Sequence, residues 1–119
     1  MPKLFIVDDE PTFQEAVKPF FELKGFTVLA SMSGEEALPQ IEAEKPDVVI
    51  LDMHLSGRID GMGVLRQIRE KKIPASVIML TGMENNIKDE VLSLGADKFL
   101  NKPVTVKALN AAIEELLKK

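Results

Sequence analysis

Cysteine, tryptophan and tyrosine are absent from this 119-residue chain, and His54 is its only histidine. Without cysteine there are no disulfides and no thiolate metal sites, a composition that fits a reducing compartment. A single imidazole makes a histidine-built metal site a poor reading. Positive charge is not in excess either, since 15 Lys and Arg stand against 19 Asp and Glu for a net charge of −4. The basic residues are scattered, with short pairs at Lys71-Lys72 and Lys118-Lys119, which argues against a surface built for nucleic-acid phosphates. Long apolar runs are missing too. Leu4-Phe5-Ile6-Val7 meets acids at Asp8, far short of an export signal or a membrane span, so the expectation is a cytoplasmic protein. With 45% hydrophobic and 29% charged residues, the composition is that of an ordinary folded domain, and the length fits one domain over 1–119.

What is present is an alternation of short apolar runs with helical patterns. The most informative run is Pro46-Asp47-Val48-Val49-Ile50-Leu51-Asp52-Met53, rich in β-branched residues, without polar alternation, and ending at a carboxylate. Such a run predicts a strand covered on both faces, the habit of parallel sheets. Leu4–Val7, Phe26–Ala30, Ser76–Leu80 and Lys98–Leu100 are the other predicted strands. Pro11 and Thr12 open a first helix with Phe13, Ala16, Val17 and Phe20 at helical spacing, stopped at Gly25. Ser33 and Glu36 have capping-box spacing ahead of Ala37, Leu38 and Ile41. Asp60 is placed to cap a third helix carrying Val64, Leu65 and Ile68. Asn85 or Asn86 would cap a fourth, with Ile87, Val91, Leu92 and Leu94, ending at Gly95. Thr105 would cap the last, with Val106, Leu109, Ile113 and Leu116 on one face and a Val104–Leu109 staple. Pro19 and Pro39 fall inside the first two helices and are expected to bend them; Lys45-Pro46 ends the second. Five strand–helix alternations predict an α/β fold: a doubly wound, five-stranded parallel sheet of flavodoxin-like order 2-1-3-4-5, with five helices on its two faces.

In that fold every strand's carboxyl end lies on one edge of the sheet, and the edge collects Asp8, Asp9, Asp52, Thr81 and Lys102. Strands one and three are neighbours at the topological switch point, where ligands bind. A lone aspartate there would simply end its strand in water. Three together repel one another and need protons or a counter-charge. Mg²⁺ answers that need, because it takes oxygen ligands, is held by few carboxylates and leaves positions open for phosphate oxygens. Lys102 supplies a mobile charge and Thr81 a hydroxyl, both suited to a phosphoryl group, and Asp52 is placed as the nucleophile that receives it.

Val7-Asp8-Asp9-Glu10 after the first strand, Leu51-Asp52-Met53 after the third, Leu80-Thr81-Gly82 after the fourth and Lys102-Pro103 after the fifth carry a resemblance. In this order and spacing the chain resembles, over its whole length, the receiver domain of two-component response regulators, including the chemotaxis-type single-domain form. The resemblance implies that Asp52 is the phosphoacceptor, taking a phosphoryl group from a sensor histidine kinase or a histidine phosphotransfer protein. It implies Mg²⁺ at Asp8, Asp9 and Asp52, one of the acidic pair acting through water, with the His54 backbone carbonyl added. Lys102 would pair with phosphoryl oxygens ahead of a cis Pro103. Thr81 and Phe99 match the hydroxyl and aromatic of a switch that remodels the face of the fourth helix, fifth strand and fifth helix for an unknown output protein. A dimer through that face is one option. Contact with DNA or membrane is not expected of the domain itself, which would catalyse its own phosphorylation and dephosphorylation rather than act as an enzyme on other substrates.

The chain also departs from the family pattern. Ser56 stands where a proline usually follows the acceptor by four residues, and Asp60-Gly61 comes about one residue late, so the loop from His54 to Gly61 is expected to be longer and looser. A kink at Pro19 could narrow kinase choice. Glu10 reads as a solvated acid, and plain core is the bland alternative to the switch role of Phe99. His54 and Met83, each two residues past a site residue, are placed to affect phosphoryl hydrolysis. Competing functions are a degenerate receiver used as a scaffold, a Mg²⁺-dependent aspartyl-phosphate hydrolase, and a flavodoxin-like cofactor binder. The last would need a glycine- and hydroxyl-rich phosphate loop where Asp8-Asp9-Glu10 stands.

Overall fold

Val48, Val49, Ile50 and Leu51 have no solvent exposure, as expected of a strand covered on both faces. They belong to β3 (Val48–Asp52) in a computed structural model that describes residues 2–55, 57–82 and 87–118. The other elements are β1 (Lys3–Val7), α1 (Pro11–Leu23), β2 (Thr27–Ser31), α2 (Gly34–Glu44), α3 (Gly61–Glu70), β4 (Ser76–Thr81), α4 (Lys88–Ser93), β5 (Lys98–Asn101) and α5 (Val106–Leu117). The sheet order is β2-β1-β3-β4-β5 with every neighbouring pair parallel, the predicted doubly wound fold.

Alternation along the strands divides the core. Phe5, Val7, Val49, Leu51, Val77 and Met79 pack with Ala37, Ile41, Leu65, Ile68 and Val91 of α2, α3 and α4. The intervening Leu4, Ile6, Val48, Ile50, Ile78 and Leu80 pack with Val17, Phe21, Leu109 and Ile113 of α1 and α5. Local signals set the helix ends. Ser33, Asp60 and Thr105 each accept, on a side-chain oxygen, an N–H from three residues on. After α1, Gly25 takes a positive φ of 97°, its N–H reaches the Glu22 carbonyl, and the Phe26 N–H reaches that of Phe21. The Phe21 and Phe26 rings then meet edge to face at 5.4 Å, closing the turn with an apolar contact. The Asn85 or Asn86 cap, Ser56 and Met83 lie outside the described residues.

One local feature differs from the sequence pattern. Lys45 ends α2 ahead of Pro46, but at φ 51° and ψ 59° it leaves the helix through the left-handed region rather than an extended one. Helix α1 continues four residues past Pro19. Pro19, which deprives the Glu15 carbonyl of its N–H partner, lies on an exposed part of the helix, as does Glu15.

The edge of the sheet at the strands' amino ends is fastened by Arg69. Its Nε donates to the Gly95 carbonyl at 3.0 Å, Nη1 to those of Ile73 and Ala75, and Nη2 to Asp97, whose Oδ2 also accepts the Val77 N–H at 2.8 Å. At the opposite edge, the chain leaving β3 returns at Gly61, whose N–H donates to the Met53 carbonyl at 2.9 Å.

A Cβ at residue 61 would sit 2.3 Å from the Asp52 carbonyl oxygen and 2.6 Å from Met53 Cα, neither of which can swing aside. Gly61→Ala is therefore expected to lower stability by about 1–3 kcal/mol in urea unfolding. Pro19→Ala should raise it by about 1–2 kcal/mol, because the restored helical bond outweighs the extra freedom of the unfolded chain.

Candidate functional site

Residues of one parity share a face of a parallel sheet, and the register places the site residues by that rule. Val7 pairs with Leu51, so one step further Asp8 falls beside Asp52 at the switch point. Asp8 continues the parity of Leu4 and Ile6, Asp52 that of Val48 and Ile50, and Lys102 that of Leu100, all toward the α1 and α5 side. Asp8 is fully buried and Asp52 is 4% exposed.

Lys102 Nζ joins the two. It lies 3.1 Å from Asp8 Oδ2, 3.3 Å from Asp52 Oδ2 and 2.8 Å from Glu10 Oε1, with the Phe13 ring centroid 5.5 Å away. The other carboxylate oxygens are held by backbone: Asp8 Oδ1 accepts the Glu10 N–H at 2.8 Å, and Asp52 Oδ1 the His54 N–H at 3.1 Å. Gln14 reaches back from the first turn of α1, its Nε2 donating at 2.9 Å to the carbonyls of both Asp8 and Ser31. Thr81 is buried at the end of β4, and its carbonyl accepts the Lys102 N–H at 2.6 Å. The Lys102–Pro103 peptide is cis, as the resemblance implies.

Burial pushes the Asp8 carboxyl above its ordinary value, and the neighbouring Asp52 charge adds to this, against the opposing pull of the Glu10 N–H and Lys102. Burial alone would lower Lys102; its bonds to Glu10 and Asp8 outweigh that and hold the ammonium above its usual range. Carboxylate oxygens of Asp8, Glu10 and Asp52 lie within 4.8 Å of one another. Three carboxylates against one ammonium leave a formal excess of two negative charges, and every donor is hard oxygen. That set fits a divalent cation of the Mg²⁺ kind.

The predicted Asp8, Asp52 and Lys102 are thus brought together. Asp9 is half-buried and lies outside this convergence; Glu10, read from sequence as a solvated acid, has its place beside Lys102. Glu10 shares the parity of Asp8, a signal the sequence did carry. His54 is exposed and meets Asp52 through its backbone. Phe99 is half-buried, against the core on the α2–α4 side, paired in register with Met79. Gln14 and Phe13 were legible only as helix residues.

Titration of Asp8 provides a test. The folded form keeps this proton to higher pH than the unfolded chain, so Asp8 costs stability increasingly as pH rises from 3.8 through its raised folded value. Urea midpoints of wild type and Asp8→Asn should diverge in that direction over the window. By carboxyl ¹³C NMR, Asp52→Asn should lower the Asp8 pKa and Lys102→Met should raise it.

The family model described as Response regulator receiver domain matches residues 4–114. The chain is 35% identical over 119 residues to the alkaline phosphatase synthesis transcriptional regulatory protein PhoP of Bacillus subtilis (strain 168), an alignment covering 98% of this chain and 49% of that protein. It spans about half the length of the curated relatives it matches. Among solved structures, the receiver domain of Francisella response regulator 1452 superposes with a TM-score of 0.92 at 29% identity, covering 99% of this chain and 98% of that one. A response regulator receiver domain protein from Clostridium thermocellum does so with a TM-score of 0.90 at 32% identity, covering 99% and 95%. By family match, by fold and by the acidic switch point facing a lysine, this chain belongs to the receiver domains of two-component response regulators.

Proposed function

We propose that Asp52 accepts a phosphoryl group from the phosphohistidine of a sensor histidine kinase or histidine phosphotransfer protein, and that the domain catalyses both this step and the later hydrolysis of the aspartyl phosphate by water, which releases inorganic phosphate. The observation that carries the reading is one ammonium, Lys102 Nζ, within 3.3 Å of carboxylates on two neighbouring strand ends. A Mg²⁺ ion, when bound, would mask carboxylate charge and hold phosphoryl oxygens. Asp8, Asp9 and Asp52 would hold it with the His54 carbonyl, and Glu10 converges closely enough to take part.

In the transfer an Asp52 oxygen attacks phosphorus while the P–N bond to the donor imidazole breaks, its electron pair remaining on the nitrogen. The His54 N–H fixes one Asp52 oxygen, which orients the carboxylate before the donor arrives. Lys102 then leaves Glu10 for the new phosphoryl oxygens, and the Thr81 hydroxyl turns toward them. Movement of Thr81 frees room for Phe99 to turn inward, which changes the α4–β5–α5 face that an output partner reads. Shifting such a switch from about 1% to 99% active takes roughly 5.5 kcal/mol. Two or three charge-assisted bonds of about 1.5–3 kcal/mol each can supply it. No helix among the described residues is long and apolar enough to cross a membrane. Cytoplasmic placement, and DNA contact only through some other module or partner, complete the proposal.

Incubation with Mg²⁺ and acetyl phosphate should give one hydroxylamine-sensitive phosphoryl adduct that Asp52→Asn abolishes; equal labelling of the variant would exclude Asp52. Saturation with beryllium fluoride should move the Phe99 ring resonances. An unchanged Phe99 signal would remove it from the switch.

A further inference from the structure

The loop between β3 and α3 spans residues 53–60, and a side chain from another element grips it. Glu35, in the first turn of α2, accepts the Ile59 N–H on Oε1 at 3.3 Å. The Arg58 N–H above all, then Glu35's own N–H, the Ile59 N–H and the Arg58 charge hold this exposed carboxyl below its ordinary range. Gly57 passes beneath the carboxylate at φ +109°, where a Cβ would lie 3.0 Å from both Glu35 oxygens. Gly34 lets the helix end come this close, since a Cβ there would sit 2.7 Å from Val64 Cγ2 and 3.0 Å from the Ile59 carbonyl oxygen. The capping role in this turn belongs to Ser33, which binds the Glu36 N–H. Glu35 is therefore free to bind the loop as well as its own N–H.

We propose that Glu35 is a positioning residue for phosphoryl transfer: by fastening residues 57–59 it fixes the loop whose first turn, at His54, holds the Asp52 carboxylate. The described residues of the loop are held at three points. Gly61 pins its return against the Asp52 carbonyl, the His54 N–H ties its start to Asp52 Oδ1, and Glu35 removes the freedom left between them. Releasing the middle lets the His54 amide and carbonyl drift, which misaligns the acceptor and loosens the cation's ligand set. The inference rests on the reading of Asp52 as phosphoacceptor.

The test uses Glu35→Ala, Glu35→Gln, Glu36→Ala and Gly57→Ala, with three measurements: the acetyl phosphate labelling rate, Mg²⁺ affinity by amide NMR titration, and the urea midpoint, which confirms folding. Glu35→Ala should slow labelling and weaken Mg²⁺ binding by about tenfold, the scale of losing a support behind a metal ligand. Glu35→Gln keeps an acceptor for Ile59 and should restore most of both. Glu36→Ala removes the same charge from the same turn and should label at the wild-type rate. Gly57→Ala, strained at φ +109° whatever space Glu35 leaves, should slow labelling in both the wild-type and the Glu35→Ala backgrounds. Wild-type labelling and Mg²⁺ affinity in Glu35→Ala would overturn the proposal, as would an equal loss in Glu36→Ala, which would mark a general charge effect. A wild-type protein that takes no label would instead overturn the Asp52 reading, and this inference with it.

Discussion

Two carboxylates buried side by side at a strand switch point, with a single ammonium reaching both, set the terms for the rest of the domain. Asp8 and Asp52 have almost no contact with solvent, and Lys102 Nζ is their common partner. Like charges held in a buried place repel, and each change of occupant there alters the balance by a large amount. The sheet is what enforces it. Parallel pairing of β1 with β3 leaves Asp8 and Asp52 no route apart, because their strands are fixed by ladders and by fully buried side chains on both faces.

The two edges of the sheet are built to different ends. At the strands' amino ends Arg69 satisfies three carbonyls and Asp97, binding α3, the chain into β4 and the turn after α4 into one piece. At the carboxyl ends the contacts are ionic, shared and exchangeable: Lys102 divides itself among Asp8, Asp52 and Glu10, the last well exposed. Under the proposed function, a phosphoryl group arriving there would compete for Lys102 directly while the Arg69 edge keeps the strands in place, and the exchange of partners would be passed to the α4–β5–α5 face.

The sheet and most helix ends were legible because they are written locally. Five apolar runs with the right spacing give the strands, and Ser33, Asp60 and Thr105 announce caps three residues ahead of the groups they bind. Asp8, Asp52 and Lys102 were legible because strand order alone brings strand ends together. Contacts made outside the strands were harder to read: Glu10 carries the parity of Asp8 but lies past the end of β1, and Glu35 meets Ile59 across 24 residues, a separation at which periodicity carries no signal. Ser56, in place of a proline, suggested a slack loop, and nothing in that pattern pointed to the contact that Ile59 makes with Glu35. Pro19 falls inside α1 as its position predicts, while the exposure of Pro19 and Glu15 is something spacing alone does not reveal.

The most direct measurement of the central claim is an experimental structure of the protein with Mg²⁺ and beryllium fluoride bound. The account predicts the fluoride adduct on an Asp52 oxygen, the cation between Asp8, Asp52 and the His54 carbonyl, and Lys102 Nζ withdrawn from Glu10 onto the adduct. An adduct on any other carboxylate, or Lys102 still paired with Glu10 beside an occupied Asp52, would contradict it.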